Sequence, residues 1–338
     1  MSGGRLARSH LVERASADRL VEVVRDICGI HAQVMGSAEL QLAARVEGIT
    51  REDVRAALWE RRTLAKTWTL RGTLHIHPAD ELSLWTASRR AVEDGGRQDL
   101  VVAISEALRG RRLTREELAD EILERVPSAP KDELTSGWGF HLGDAAVAGL
   151  LCFGPPKGQR VTFVHPDDWL VPQLMWEPEE ALREVARRYA SSYGPVTYRH
   201  FREWFSGRLL TPAAARELFE GIEMPERDHV DQGGVRLLPE YDAYVMAVRD
   251  RDRLVPQPVR EQIAAHGKGR YEGAAGVPFL LVDGVCAGIW RRRKTAKRIE
   301  LTVEPARRLT RAERAGIEAE AERIGAFLGL EPKLTIAS

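Results

Sequence analysis

His31 and Gln33 stand two residues apart in a short link between two apolar-periodic segments. Before the link, Leu20, Val23, Val24 and Ile27 recur at helical spacing, which predicts a helix that Gly29 stops in the left-handed capping position. Ser37 is expected to N-cap the helix that follows. Residues two apart on a helix point to different sides, but in an extended link they share one face. An imidazole and a carboxamide so placed converge on one small target. The competing reading is that both side chains simply bond the loose backbone groups at the two helix ends. His75 and His77 form a second pair on one strand face, a spacing open to metal ligation, but no third ligand is evident and a catalytic zinc site needs three. Asp242 follows an apolar run at 237–239 and either backs an active-site group or anchors a turn.

The elements that must position these residues follow from pattern. Residues 17–90 read helix, helix, helix, strand, strand, helix. The third helix opens on Thr50 with Glu52 and Asp53 in its first turn and is expected to end near Arg62. A Thr- and Trp-rich strand over 64–70, a tight turn at Arg71-Gly72 and an alternating strand over 73–77 then make a hairpin that Pro78 ends. Three short helices followed by a hairpin is the order of a winged helix. The order returns with helices at 100–108, 114–126 (Thr114 and Glu117 forming a capping box) and 136–151, a turn over 154–158 and a strand over 160–164. It returns less regularly, with helices at 181–189, from Thr197 through Phe205 and opening at Thr211-Pro212, and a wing expected around Asp231-Gln232-Gly233-Gly234. No close sequence repeat accompanies it. The last hundred residues change character. Strands at 277–281 and 285–291 joined by Asp283-Gly284, another at 298–303, and a helix capped by Thr310 with Ile317, Ala321, Ile324 and Leu328 as its buried stripe make a small α+β module.

The expected fold class is therefore α+β, with three tandem winged-helix units at 1–95, 96–172 and 173–240 forming a concave channel, and a C-terminal sheet plus helix at 241–338 that carries a basic hairpin. At 338 residues the chain can bury more than one core. No stretch approaches the roughly 20 apolar residues needed to span a bilayer, and the first residues carry no apolar signal segment. Three widely separated cysteines, Cys28, Cys152 and Cys286, argue for a reducing compartment and against a Cys-based zinc site; the cytoplasm is the expected location. Fifty basic and fifty acidic residues cancel overall, yet residues 246–298 hold twelve Lys or Arg against five Asp or Glu, so one face could be basic on a neutral protein. Arg71 at the wing tip and the run Arg291, Arg292, Arg293, Lys294 are the phosphate-contact candidates, with Arg249, Arg251 and Arg253 behind them. The competing reading of the run is a solvated surface.

Three blocks carry a family resemblance: Thr67-Trp68-Thr69-Leu70-Arg71-Gly72-Thr73-Leu74-His75, Leu237-Leu238-Pro239-Glu240-Tyr241-Asp242, and residues 282–291, Val-Asp-Gly-Val-Cys-Ala-Gly-Ile-Trp-Arg. They resemble the signature blocks of a bacterial winged-helix DNA-binding family that includes the AlkZ- and YcaQ-like DNA glycosylases, over about residues 10 to 335. The resemblance implies a three-winged-helix DNA channel and a catalytic motif of Gln, an aliphatic residue, then Gln or Asp. The matching residues here are His31-Ala32-Gln33. Gln33 agrees with the AlkZ-like form; His31 stands where that form has Gln. The implied function is a monofunctional DNA glycosylase for N7-alkylated purines or bulky adducts, in DNA repair or self-resistance. The implied catalytic residues are His31 and Gln33; His75, unless it belongs to a satisfied, partly buried pair, and Asp242, unless it only anchors a turn, are the candidate supporting residues. A cationic N7-alkylguanine leaves without a general acid, so what remains is to place a water on C1′ and stabilise an oxocarbenium-like sugar. A Gln carbonyl orients a water, and a His with a near-neutral pKa also takes its proton. No metal and no cofactor are expected. No Lys adjoins the motif to form a Schiff base. The partner is double-stranded DNA, with no membrane, and the chain is expected to act as a monomer. Two other classes compete: a non-catalytic winged-helix DNA-binding regulator, which would bind a specific duplex without base release, and a protein-interaction scaffold, which would not bind DNA.

Overall fold

The structure is a computed structural model that describes residues 4–137, 139–206, 209–225, 233–247, 251–266 and 276–337. It is a mixed α+β fold. Helices Leu20–Asp26, Met35–Ala43 and Arg51–Trp59 come first, followed by strands β2 (Leu64–Trp68) and β3 (Leu74–Pro78) and the helix Leu82–Arg90. Thr50 caps the third helix as expected, and with Asp53 it closes a capping box. One element was not expected. Residues Ile30–His31 form a short strand, β1, which pairs antiparallel with β3, so the sheet order is β1-β3-β2. The link after Gly29 is thus strand rather than loose coil. Gly29 has φ +91, and a Cβ there would stand 2.4 Å from the His77 ring, so glycine is required both by conformation and by space.

The second helical group, Gln98–Leu108, Arg115–Arg125 and Phe140–Val147, is followed by β5 (Cys152–Lys157) and β6 (Arg160–Val164), with the short β4 (Leu113–Thr114) beside β6. The expected turn over 154–158 is shifted: Pro155 and Pro156 lie inside β5, and the chain reverses after Lys157. β5 is an edge strand with a register irregularity between Gly154 and Lys157, a setting that tolerates proline because no partner needs its N–H. Helices Pro178–Tyr193, Tyr198–Phe205 and Pro212–Phe219 follow. Of the wing expected around 231–234, Asp231 and Gln232 lie outside the described residues.

Residues Val235–Leu238, expected to belong to the third unit, form β7 and pair with β8 (Phe279–Val282). They are the edge of a five-stranded sheet of order β11-β10-β9-β8-β7, completed by β9 (Val285–Lys294), β10 (Arg298–Pro305) and β11 (Glu331–Ile336). The reason is burial: Val235, Leu237 and Leu238 are apolar and buried, and the sheet gives them a core that a short surface wing would not. Strand β11, which runs parallel to β10, was also not expected. The helix Arg311–Leu328 covers this sheet with Ile317, Ala321 and Ile324 buried. One hydrophobic cluster joins this module to the first helices: Val24, Leu42 and Leu58 share it with Leu237, Leu301 and Ile317. Among the described residues no helix is long and apolar enough to cross a membrane.

Candidate active site

The helix Leu20–Asp26 ends with Cys28 and Gly29 at positive φ, which turns the chain onto β3. His31 then faces His75 in register. Two residues on, the Gln33 carbonyl oxygen accepts the Leu74 amide proton at 3.4 Å. Both side chains thus reach the same short stretch of β3. His31 is buried and Gln33 is exposed, so the pair runs from the sheet interior to solvent. The expected Ser37 N-cap is not formed. The helix starts at Met35, and buried Ser37 instead accepts a long bond, 3.4 Å, from Arg292.

Three rings converge at His31. The His75 ring meets it edge-on, with centroids 5.3 Å apart, and Tyr241 lies over it at 4.8 Å, tilted by 32°. The Nδ1 of His31 is buried and has no hydrogen-bond partner among the described residues. Burial, then the positive charges of Arg71 and Lys66, push its pKa down to about 4. This corrects the near-neutral value expected from sequence: the ring is a neutral imidazole at physiological pH. His75 points its Nδ1 at the Thr73 carbonyl, 3.0 Å away, and is pushed well below the ordinary range, chiefly by burial. His77 hydrogen-bonds Thr69 at 2.9 Å, stacks on Trp85 at 4.2 Å, and is pushed by burial to about 3. His75 Nδ1 and His77 Nε2 are therefore committed to local partners, while His77 Nδ1 is buried without one among the described residues. Among the described residues no group of three or more His, Cys, Asp or Glu is arranged to hold a metal ion.

Asp242 anchors a turn, one of the two readings open for it. It caps Tyr244 N at 2.9 Å and forms a fully buried bidentate pair with Arg45, at 2.8 and 2.7 Å. Its link to the site runs through Gln41, whose amide donates to the His31 carbonyl at 3.2 Å and accepts from Ala243 N at 3.1 Å. Sequence reasoning missed Gln41, Arg45 and Tyr241. The available signal was polar Gln41 and Arg45 four apart inside the apolar run 38–46, since polar groups buried on a helix face need partners.

The expected DNA contacts divide. Arg71 lies in the tight turn, at φ +56, but it is not a free wing tip. Leu70 is buried against the third helical group, and the Arg71 guanidinium turns inward to donate to the Trp204 carbonyl. Burial, with Arg251 adding a like charge, lowers it to about 10, which leaves it cationic beside His31. Arg292 is engaged as well, since Glu240 takes it bidentately at 3.0 and 2.9 Å. Arg291 pairs with Glu304. Arg293 and Lys294, near the end of β9, are exposed. Arg249 lies outside the described residues. Arg251 is buried and donates to the Val245 carbonyl at 3.0 Å, which removes it from the surface; Arg253 is exposed. Lys66 is buried, held at about 8 by desolvation, and lies over the Phe153 ring at 4.9 Å. It pairs across the strand with Ile76, whereas His31 pairs with His75, so it occupies the opposite face of the sheet.

Comparison with known proteins sets this geometry in a context. A family model described as DNA glycosylase AlkZ-like matches residues 24–327. An interstrand DNA cross-link repair glycosylase of Streptomyces sahachiroi is 30% identical over 310 residues, covering 80% of this chain and 81% of that protein. The solved structure of the Streptomyces sahachiroi DNA glycosylase AlkZ superposes with a TM-score of 0.79 at 28% identity, covering 98% of this chain and 97% of the other.

Proposed function

The chain belongs to the AlkZ-like DNA glycosylases, enzymes that cleave N-glycosidic bonds, and on that premise we propose that it hydrolyses the bond between deoxyribose and an N-alkylated purine in double-stranded DNA, with Gln33 and His31 holding the attacking water. The observation that carries this is the meeting of both side chains on one stretch of β3 with a buried His31 nitrogen left unpartnered. At 3.4 Å the Gln33 oxygen is only loosely engaged by the Leu74 amide, and a carbonyl oxygen has a second lone pair for a water. A base of pKa about 4 is weak, but the reaction asks little of it. An alkylated purine takes the bonding electron pair and departs neutral, leaving the positive charge on the sugar, and a water that has joined that oxocarbenium ion is itself strongly acidic. The neutral imidazole also adds no positive charge at the sugar, where cationic character develops.

Arg71 serves best as an internal cation for the phosphate beside the target nucleotide, and exposed Arg293 and Lys294 as outer phosphate contacts. The placement of Lys66 on the far face of the sheet supports a hydrolytic, monofunctional reaction over a Schiff-base step. The helix-helix-helix-hairpin order of the first two groups supports a tandem winged-helix reading, with boundaries near 95 and 172 and a third helical group that ends before β7. The name of the cross-link repair relative supports large adducts as substrates. Three free, buried cysteines suit a reducing compartment.

The test is base release. Duplex DNA carrying N7-methylguanine or a bulky N7 adduct is incubated with the protein, and abasic sites are read by alkaline strand cleavage. Wild type should generate them, while Gln33→Ala and His31→Ala should each slow release by at least about a hundredfold, the lower range for a positioned acid–base group. Equal DNA binding by wild type and Gln33→Ala with no abasic sites from any substrate would overturn the reading.

A further inference from the structure

The turn that carries Tyr241 is fixed on both sides. Glu240 takes the Arg292 guanidinium in two bonds of 2.9 and 3.0 Å, and Arg292 also reaches Ser37 on the helix that follows Gln33. Asp242 takes Arg45 in two bonds of 2.7 and 2.8 Å with both side chains fully buried. Between these two bidentate pairs Tyr241 has φ +62, the left-handed conformation that side-chain-bearing residues rarely adopt. Two carboxylate–arginine pairs therefore hold one residue in a strained backbone, a pattern found where a side chain must be aimed. The side chain is aimed at His31, with ring centroids 4.8 Å apart. Gln41 ties the two segments together, since it bonds the His31 carbonyl with one end of its amide and the Ala243 N–H with the other.

We propose that Tyr241 is a positioning residue: its ring, with His75 edge-on at the other contact, fixes the plane of the His31 imidazole in the orientation from which it acts on the attacking water. The proposal rests on the reading that His31 acts on that water. Strand pairing fixes the His31 backbone but not the rotation of its ring, and Nδ1 has no hydrogen bond to hold it. Among the described residues, the ring contacts of His75 and Tyr241 are what is left to do so. The tyrosine hydroxyl has no hydrogen-bond partner among the described residues and is seated against Gly276, where a Cβ would stand 3.2 Å from it. The ring, not the hydroxyl, does the positioning. The titratable and charged groups that act on His31 are His75 on β3, Arg71 in the turn and Lys66 on β2, and none of them belongs to the Tyr241 segment.

Tyr241→Gly tests this without endangering the fold, because glycine accepts the positive φ that tyrosine strains to adopt. Single-turnover base release should fall at least tenfold in Tyr241→Gly with DNA affinity unchanged, and Tyr241→Phe should restore wild-type release. His31, assigned by its loss in His31→Gln, should titrate by NMR near 4 in the wild type and toward 6.5 in Tyr241→Gly, as the opened ring regains water. Unchanged release and titration in Tyr241→Gly would overturn the proposal. So would slowed release with an unchanged His31 titration, which would make Tyr241 a substrate contact instead. His31→Ala separates the two layers: if it releases bases at the wild-type rate, the role given to His31 itself fails, whereas slow release by His31→Ala beside normal release by Tyr241→Gly removes only the positioning role.

Discussion

Three histidines sit neutral in and behind the site, and the physical cost of keeping them so gives a prediction at the scale of single residues. Each would take up a proton near 6.5 in the unfolded chain, but folding holds His31 to about 4, His77 to about 3 and His75 well below its ordinary value. Between those limits the unfolded state binds more protons than the folded one. The stability they contribute is therefore complete above about pH 6.5 and is lost as the pH falls toward the folded values. Urea unfolding at pH 7.5, 6 and 5 should show stability declining on acidification, by up to about 1.4 kcal/mol per pH unit for each histidine. The His31→Gln variant should show the shallower decline of a protein with one such group fewer. A wild type and variant with the same pH slope would mean that His31 is protonated alike in both states, and the neutral-imidazole account of the site would fail with it.

At the scale of elements, the Arg45–Asp242 pair joins the helix Met35–Ala43, through the residues just past its end, to the turn that carries Tyr241. Asp242→Ala leaves the Arg45 charge buried without its partner, so unfolding should become easier by about 3–5 kcal/mol, read as a shift in the urea midpoint. A loss under about 1 kcal/mol would show that the turn does not depend on the pair. None of this was legible from the chain. The capping boxes at Thr50, Thr114 and Thr310 were, because a cap is closed by residues three apart. The His31 and Gln33 pair was legible because backbone that is not helical between two helices is a local inference. Strand β1 was not, since two residues acquire strand character only from β3, more than forty residues later. Ser37 had the composition of a cap and lost that role to a contact with Arg292, over 250 residues away. Asp242 could be singled out as a polar residue after an apolar run, but its partner Arg45 and the bridging Gln41 become visible only when the two ends of the chain are folded together.

At the scale of the whole molecule, the C-terminal module is not an appended domain. It shares its hydrophobic cluster with the first helices, and Arg323 of its long helix donates to the Ala43 carbonyl at 2.7 Å. The basic stretch of the sequence is drawn into this union. Arg292 is neutralised by Glu240, Arg291 by Glu304 and Arg298 by Glu331, so a local excess of positive charge in sequence is largely spent on acids from elsewhere in the fold. Near the end of β9 Arg293, with Glu300 only at 4.0 Å, and Lys294 are exposed and the least engaged. If these touch phosphates, neutralising both should lower the salt dependence of duplex binding by about 1.8 in the slope of log K against log salt, since each released counterion contributes about 0.9. Arg292→Ala should behave differently. It removes no phosphate contact, so the slope should stay at the wild-type value, but it frees Glu240 and loosens the Tyr241 turn, so base release should slow. Binding measured by fluorescence anisotropy at several salt concentrations separates the two. A slope changed by Arg292→Ala and untouched by the Arg293/Lys294 double variant would reverse the assignment.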